Sequence, residues 1–369
     1  MSINSQKNKK IIFTGGGSAG HVTPNLALIR ELRKKKWEVY YIGSKNGLEK
    51  EIIEKVIPEV PYFNIPTGKL RRYFSLENFF DPLKILAGII KAYFLCKKIQ
   101  PNIVFSKGGF VAFPVVVASW LNHIPVIVHE SDFSPGLANK LSFSFARKIC
   151  VSFSETEKYL DYKNKAKLVV SGTPIREELF SGDRKKGLAI CGFNENKKVI
   201  LVQGGGLGSD LVNNIIRDLL PKLLVDFQVV HITGKNKISQ NSDCVGYIQF
   251  EYLNEDFPDV LASADLVISR SGANSLLELI TLHKPHILLP LSAKASRGDQ
   301  LLNAKHFADL GVSYVIYPED LTLENLTAEI YRLNNNLAEV KMALNKLQLL
   351  DSVSIICKVI NEIGIKNEQ

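Results

Sequence analysis

His21 comes directly after the run FTGGGSAG, and a titratable ring beside a glycine-rich turn is the first chemical signal in the chain. Gly15, Gly17 and Gly20 fit the spacing G-x-G-x-x-G, in which glycines let backbone N–H groups approach a phosphate at a helix N-terminus. At such a start the helix dipole disfavours the protonated ring, and a neutral imidazole can accept a proton. On position alone, a capping or core histidine serves equally well. A dinucleotide would need an acidic residue at the end of the second strand to hold its ribose. Here that strand, in WEVYYIGSK, ends in Gly43, Ser44 and Lys45, with Glu49 beyond it in the next helix. An NAD site therefore fails its own requirement. A packing turn explains the glycines, but not His21 together with a second such loop, GGGLGS, at Gly204–Ser209.

Four further stretches carry chemistry. SKGGFVAFP places Gly108 and Gly109 after a strand, at the sheet edge where ligands bind. HESDFSPGLANK crowds His129, Glu130 and Asp132, a weak metal signal with no second ligand cluster. No Asp-x-Asp pair occurs, so a metal–diphosphate site lacks its usual ligands, and no metal or cofactor is expected. In LVISRSGANSLLELI a strand, a turn with Arg270, Ser271 and Gly272, and a helix follow in order. Asn274 or Ser275 is the expected cap, a diphosphate suits the helix start, and Glu278 suits paired ribose hydroxyls. A plain buried strand–helix join is the alternative. In SRGDQLLNAKHF, Asp299 and Gln300 open a helix and can hydrogen-bond a polyol.

These loops need elements to hold them. KKIIFTGGGSAGH and KKVILVQGGGLGS share one plan, and each opens a region where short apolar runs alternate with amphipathic ones. Expected strands are IIFTG, VYYIG, NIVFSK, VIVHE and KICVS, then VILVQG, FQVVHIT, LVISR and HILLP. Such alternation predicts an α/β fold of two doubly wound, Rossmann-like parallel sheets facing a cleft. SGTPIR is the expected hinge, giving domains 1–172 and 173–345 and a helical tail 346–369.

With 369 residues, two domains are the natural size. The cysteines Cys96, Cys150, Cys191, Cys244 and Cys357 have no paired spacing, which argues against a disulfide scaffold and fits a reducing cytoplasm. The N-terminus is polar and basic, unlike a signal peptide, and the most apolar run, Gly108 to Asn122, contains Pro114 and is too short to span a membrane. A soluble protein is expected. Through Gly172 there are 26 Lys and Arg against 13 Asp and Glu, whereas the remainder is mildly acidic. Only the first half is thus suited to an anionic surface. Within it, Lys69 to Lys98 mixes lysines with Tyr73, Phe74, Phe79, Phe80, Ile85, Ile89, Ile90 and Phe94, as an interfacial membrane site requires. An ordinary core helix is the alternative there. A polyanion binder without catalysis would leave the second-half motifs unexplained, and no nucleic-acid partner is expected.

In this order, GGSAGHVTP, SKGGFVAFP, HESDFSPGLANK, GTPIR, GGGLGS, QFEY, RSGANSLLE and SRGDQLLNA resemble the MurG family, from about residue 10 to 350. The resemblance implies a GT-B fold and an inverting transfer of N-acetylglucosamine from UDP-N-acetylglucosamine to the 4-hydroxyl of an undecaprenyl-pyrophosphoryl-linked N-acetylmuramoyl-pentapeptide. It implies a peripheral enzyme at the cytoplasmic face of the cell membrane, with its basic first domain on the anionic surface. Transfer to diacylglycerol is the nearest alternative on the same architecture. Carried over, the donor contacts are Ser18, Ala19, Gly20, Asp132, Arg176, Gly206, Phe250, Glu251, Arg270, Ala273, Asn274, Ser275, Glu278 and Gln300. Gly16, Gly17, Gly108 and Gly109 are expected to face the acceptor, and His21, from its own position beside the loop, is the expected general base. Asn139 and Lys140 lie in a matching motif without an implied role. Two positions depart from the family: Asp132 stands where Asn is common, and Gly206 where Ser is common.

Overall fold

The computed structural model describes residues 9–68, 77–206, 208–240 and 244–366, without the side chains of 77–80, 365 and 366. One compact unit runs to Pro174 and takes the chain back from Leu350; the other is Ile175–Leu349.

The first unit holds seven parallel strands: β1 (Lys10–Thr14), β2 (Glu38–Ser44), β3 (Tyr62–Ile65), β4 (Ile103–Ser106), β5 (Val126–Glu130), β6 (Lys148–Val151) and β7 (Leu168–Val170). Their order is β3-β2-β1-β4-β5-β6-β7. β1, β4 and β5 are apolar runs buried on both faces, as a sheet covered by helices on each side demands. One covering layer contains the helices Thr23–Lys34 and Ser352–Lys366 against Phe13, Tyr41 and Phe105. Ile356, Cys357 and Ile360 complete that layer, so the returning C-terminal helix is part of the first core. The opposite layer contains Glu77–Ile99 and Ala112–Leu121.

The second unit repeats the plan with β8 (Lys198–Gln203), β9 (Phe227–Ile232), β10 (Tyr247–Phe250), β11 (Leu266–Ser269), β12 (His286–Leu288) and β13 (Tyr314–Val315), ordered β10-β9-β8-β11-β12-β13. In each sheet the winding direction reverses between the first and fourth strands: β1 beside β4, and β8 beside β11. Open α/β sheets bind ligands beyond the strand ends at this reversal. The glycine loops follow those four strands. Every strand expected from the sequence is present.

Candidate active site

In the first unit the loops after β1 and β4 lock together. Gly16 N–H donates to the Gly108 carbonyl at 3.4 Å, and Gly17 N–H donates to Glu49 Oε2 at 3.3 Å. No partner for the N–H groups of Gly108 and Gly109 occurs among the described residues. Both glycines have positive φ, at 92° and 80°. A Cβ on Gly109 would lie 2.1 Å from the Gly16 oxygen and 3.1 Å from His21 Nδ1. Only glycine brings the two loops this close.

His21 ends a 3₁₀ turn, Ala19–His21, immediately before the helix Thr23–Lys34. Its Nδ1 lies 3.0 Å from the Gly16 carbonyl and 3.0 Å from Ser18 Oγ. A carbonyl only accepts, so this contact assigns the proton to Nδ1 and the ring lone pair to Nε2. Ser18 therefore orients the histidine, while Ala19 and Gly20 form the turn that carries it.

Beneath the loops lies a buried polar floor whose function the sequence did not disclose. Glu49 is fully buried; its carboxylate accepts from Ser44 N at 2.9 Å and from Ser44 Oγ at 2.5 Å, and it packs under Gly16. Glu130 accepts from Asp132 N, Gly136 N and Asn139 Nδ2 at 3.0, 2.9 and 2.8 Å. Those bonds make Glu130 a brace for the loop after β5. Asn139 also donates to the His129 carbonyl, and its side chain fills the space where Gly108 would carry a Cβ. His129 Nε2 donates to the Gly172 carbonyl at 2.8 Å. Burial, then the neighbouring Lys107 charge, holds this ring neutral, well below the usual histidine range. Asp132 is half-buried.

In the second unit, Ser209 ends the GGGLGS loop and caps the helix Asp210–Asp226 through Val212 N. Arg270, after β11, donates Nη2 to Ser209 Oγ at 2.6 Å and Nη1 to the Leu289 carbonyl at 2.8 Å. Burial lowers its pKa, and no carboxylate pairs with it among the described residues. Arg270 is thus a buried cation that ties two loops together. Gly206 is exposed, and no atom lies within 4 Å of the place its Cβ would take.

The next helix, Ala273–Thr281, departs from expectation at its start. Gly272 holds the capping position, so neither Asn274 nor Ser275 occupies it. A glycine cap offers the first turn no side-chain acceptor, which favours an external anion there. Glu278, deeper in the helix, accepts from Arg176 Nε at 3.2 Å. Burial raises the Glu278 pKa, and Arg176 opposes that rise. Gln300 uses Oε1 to accept from Leu291 N at 3.1 Å, leaving its amide N–H groups to donate. The Phe250 carbonyl accepts from Thr233 N, and the Glu251 carboxylate accepts from Asn236 N at 2.6 Å. Both residues order the edge of β10.

The suspected membrane segment is described in part. Residues 69–76, with Tyr73 and Phe74, lie outside the described residues, as do the side chains of Phe79 and Phe80. From Asp81 on, the helix Glu77–Ile99 has two apolar faces. Gly88, Ala92, Cys96 and Ile99 pack inward, whereas Leu83, Leu86, Ile90 and Phe94 are each more than half exposed. Ile85 and Ile89 are half-buried between them. No described helix is long and apolar enough to cross a membrane.

Two family models match the chain: the glycosyltransferase family 28 N-terminal domain over residues 11–151, and the family's C-terminal domain over 199–354. The UDP-N-acetylglucosamine--N-acetylmuramyl-(pentapeptide) pyrophosphoryl-undecaprenol N-acetylglucosamine transferase of Legionella pneumophila (strain Paris) is 51% identical over 353 residues, 95% of this chain and 96% of its own. The protein of the same name from Clostridium botulinum (strain Alaska E43 / Type E3) is 52% identical over 352 residues, 95% and 97% of the two chains. The fold is similar to that of the Acinetobacter baumannii MurG crystal structure, with a TM-score of 0.73 and 23% identity over 96% of this chain and 99% of that one. Matched in both halves and along nearly its whole length, the chain belongs to glycosyltransferase family 28 and, within it, to the MurG family of N-acetylglucosamine transferases.

Proposed function

We infer that the protein transfers N-acetylglucosamine from UDP-N-acetylglucosamine to N-acetylmuramyl-(pentapeptide) pyrophosphoryl-undecaprenol, the glycosylation that completes the lipid-linked disaccharide of peptidoglycan synthesis. The observation that carries this reading is identity above one half, across 95% of the chain, to proteins of that name. The direct test supplies labelled UDP-N-acetylglucosamine with the muramyl lipid and, in parallel, with diacylglycerol. Label is expected in the muramyl lipid alone. Label in diacylglycerol would transfer the protein to glycolipid synthesis.

Within that reaction, the unpartnered N–H groups of Gly108 and Gly109 take the acceptor diphosphate. The Gly16 and Gly17 N–H groups, already bonded to Gly108 and Glu49, shape the loop instead. His21 Nε2 removes the proton from the sugar 4-hydroxyl as it attacks the anomeric carbon, in one displacement that inverts the α-linked donor. The second unit holds the donor. The first turn of Ala273–Thr281 and the buried Arg270 charge favour the diphosphate, Glu278 and Arg176 together face the ribose, and a Gln300 N–H meets a sugar hydroxyl. UDP leaves toward those positive groups. The exposed Leu83–Phe94 face, flanked by Lys84, Lys91, Lys97 and Lys98, rests on an anionic membrane surface at the cytoplasmic side.

A further inference from the structure

The loops that meet the acceptor diphosphate are surrounded by carboxylates. Glu49 packs under Gly16, Glu130 is 5% exposed at the end of β5, and Asp132 follows two residues later. A buried cation stands near them. Lys107, the residue before Gly108, is 2% exposed, and its Nζ donates to Ser131 Oγ. Ser131 Oγ lies 3.0 Å from Thr173 Oγ1, which continues the polar floor. No carboxylate is within ion-pair distance of Lys107 among the described residues, although Glu130 and Asp132 act on its charge from further away. A buried ammonium with one neutral partner is costly to keep, and it needs compensation.

We propose that Lys107 is an electrostatic positioning residue for the acceptor diphosphate: its buried charge offsets Glu130 and Asp132, so that the Gly108–Gly109 loop admits an anion. This rests on the acceptor reading above. With Lys107 neutral, the loop floor carries only carboxylates, and a diphosphate arriving there meets like charge through a poorly screened interior. Asp132 gains an explanation as well. A carboxylate is tolerated where the family often carries an amide because this chain has a cation beneath it.

Burial, opposed by Glu130 and Asp132, lowers the Lys107 pKa to about 8. The charged and titratable groups acting on it are Glu130 and His129 on β5 and Asp132 after it; His129 stays neutral throughout. The acceptor affinity is therefore expected to weaken as pH passes about 8, a range in which a diphosphate diester keeps its charge.

The test is steady-state transfer to a soluble short-chain prenyl-diphosphate muramyl-pentapeptide at about pH 7 and about pH 8.8. The proteins compared are wild type, Lys107→Arg, Lys107→Met, and Lys107→Met with Asp132→Asn. Wild type is expected to show an acceptor KM several-fold higher at the upper pH, with the donor KM unchanged, whereas Lys107→Arg stays low at both. Lys107→Met is expected to start about 10-fold high and remain flat, and adding Asp132→Asn should return it to within about 3-fold of wild type. A wild-type acceptor KM for Lys107→Met at pH 7, or no rescue by Asp132→Asn, overturns the proposal. Should Lys107→Met not fold, a wild-type KM that stays flat across the two pH values overturns it equally. Absence of any transfer by wild type would instead refute the acceptor reading itself.

Discussion

His21 is held in its Nδ1–H tautomer by its own loop, since the Gly16 carbonyl can only accept the Nδ1 proton. His21→Ala is expected to lower kcat by about 10²- to 10⁴-fold while the acceptor KM changes little. Near-wild-type turnover would remove His21 from the base role. Two other histidines act on stability instead. Burial keeps His231 and His286 neutral, with pKa values lowered from 6.5 to about 3 and about 4. An unfolded chain binds protons at these rings below its ordinary pKa of 6.5, and the folded chain does not. The stabilisation is therefore present above that pH and is lost as pH falls toward 4, by about 2 kcal/mol per ring at pH 5. Urea midpoints for the second unit should fall between pH 7 and pH 5; equal midpoints would contradict the assignment. The sequence pointed to His21 and the glycines because their signal is local spacing. Glu49 and Asn139 carried no role in that reading, and Lys107 drew none, because their significance lies in burial and in neighbours 5 to 33 residues away.

The element scale explains what could be read along the chain. The nine strands foreseen are those with strong apolar runs. The four missed ones, β3, β7, β10 and β13, are the outer strands of the two sheets. An edge strand is covered less completely, so it is short and carries a weaker apolar pattern: YFNI, LVV, YIQF and YV. The glycine loops carry the sharpest positional demand. Gly109→Ala should abolish transfer, because the left-handed backbone and the Gly16 oxygen both exclude a methyl group. UDP-N-acetylglucosamine binding by the second unit should survive, as titration calorimetry can check. Gly192→Ala, also at positive φ but in open space, should cost only about 1 kcal/mol and retain activity.

For the whole molecule, the proposed membrane role of the exposed face of Glu77–Ile99 can be tested apart from the chemistry. Replacing Leu83, Leu86, Ile90 and Phe94 by serine should weaken binding to anionic vesicles at least about 10-fold and leave transfer to a soluble acceptor intact. Equal loss on both acceptors would refute that division of labour. The C-terminal helix belongs to the first unit although it follows the second in the chain. Ile356 and Ile360 are fully buried in the first core, each worth about 1.5–3 kcal/mol, a substantial part of a domain's net stability. A chain ending at Leu349 should keep a protease-resistant second unit and lose a cooperatively folding first one. On the ribosome, the first unit's sheet emerges early but its core stays open until residues beyond 350 have been made. The domain synthesised first is therefore the last to close, and its apolar layer around Trp37 and Phe105 must be kept from aggregation while the whole second unit is translated.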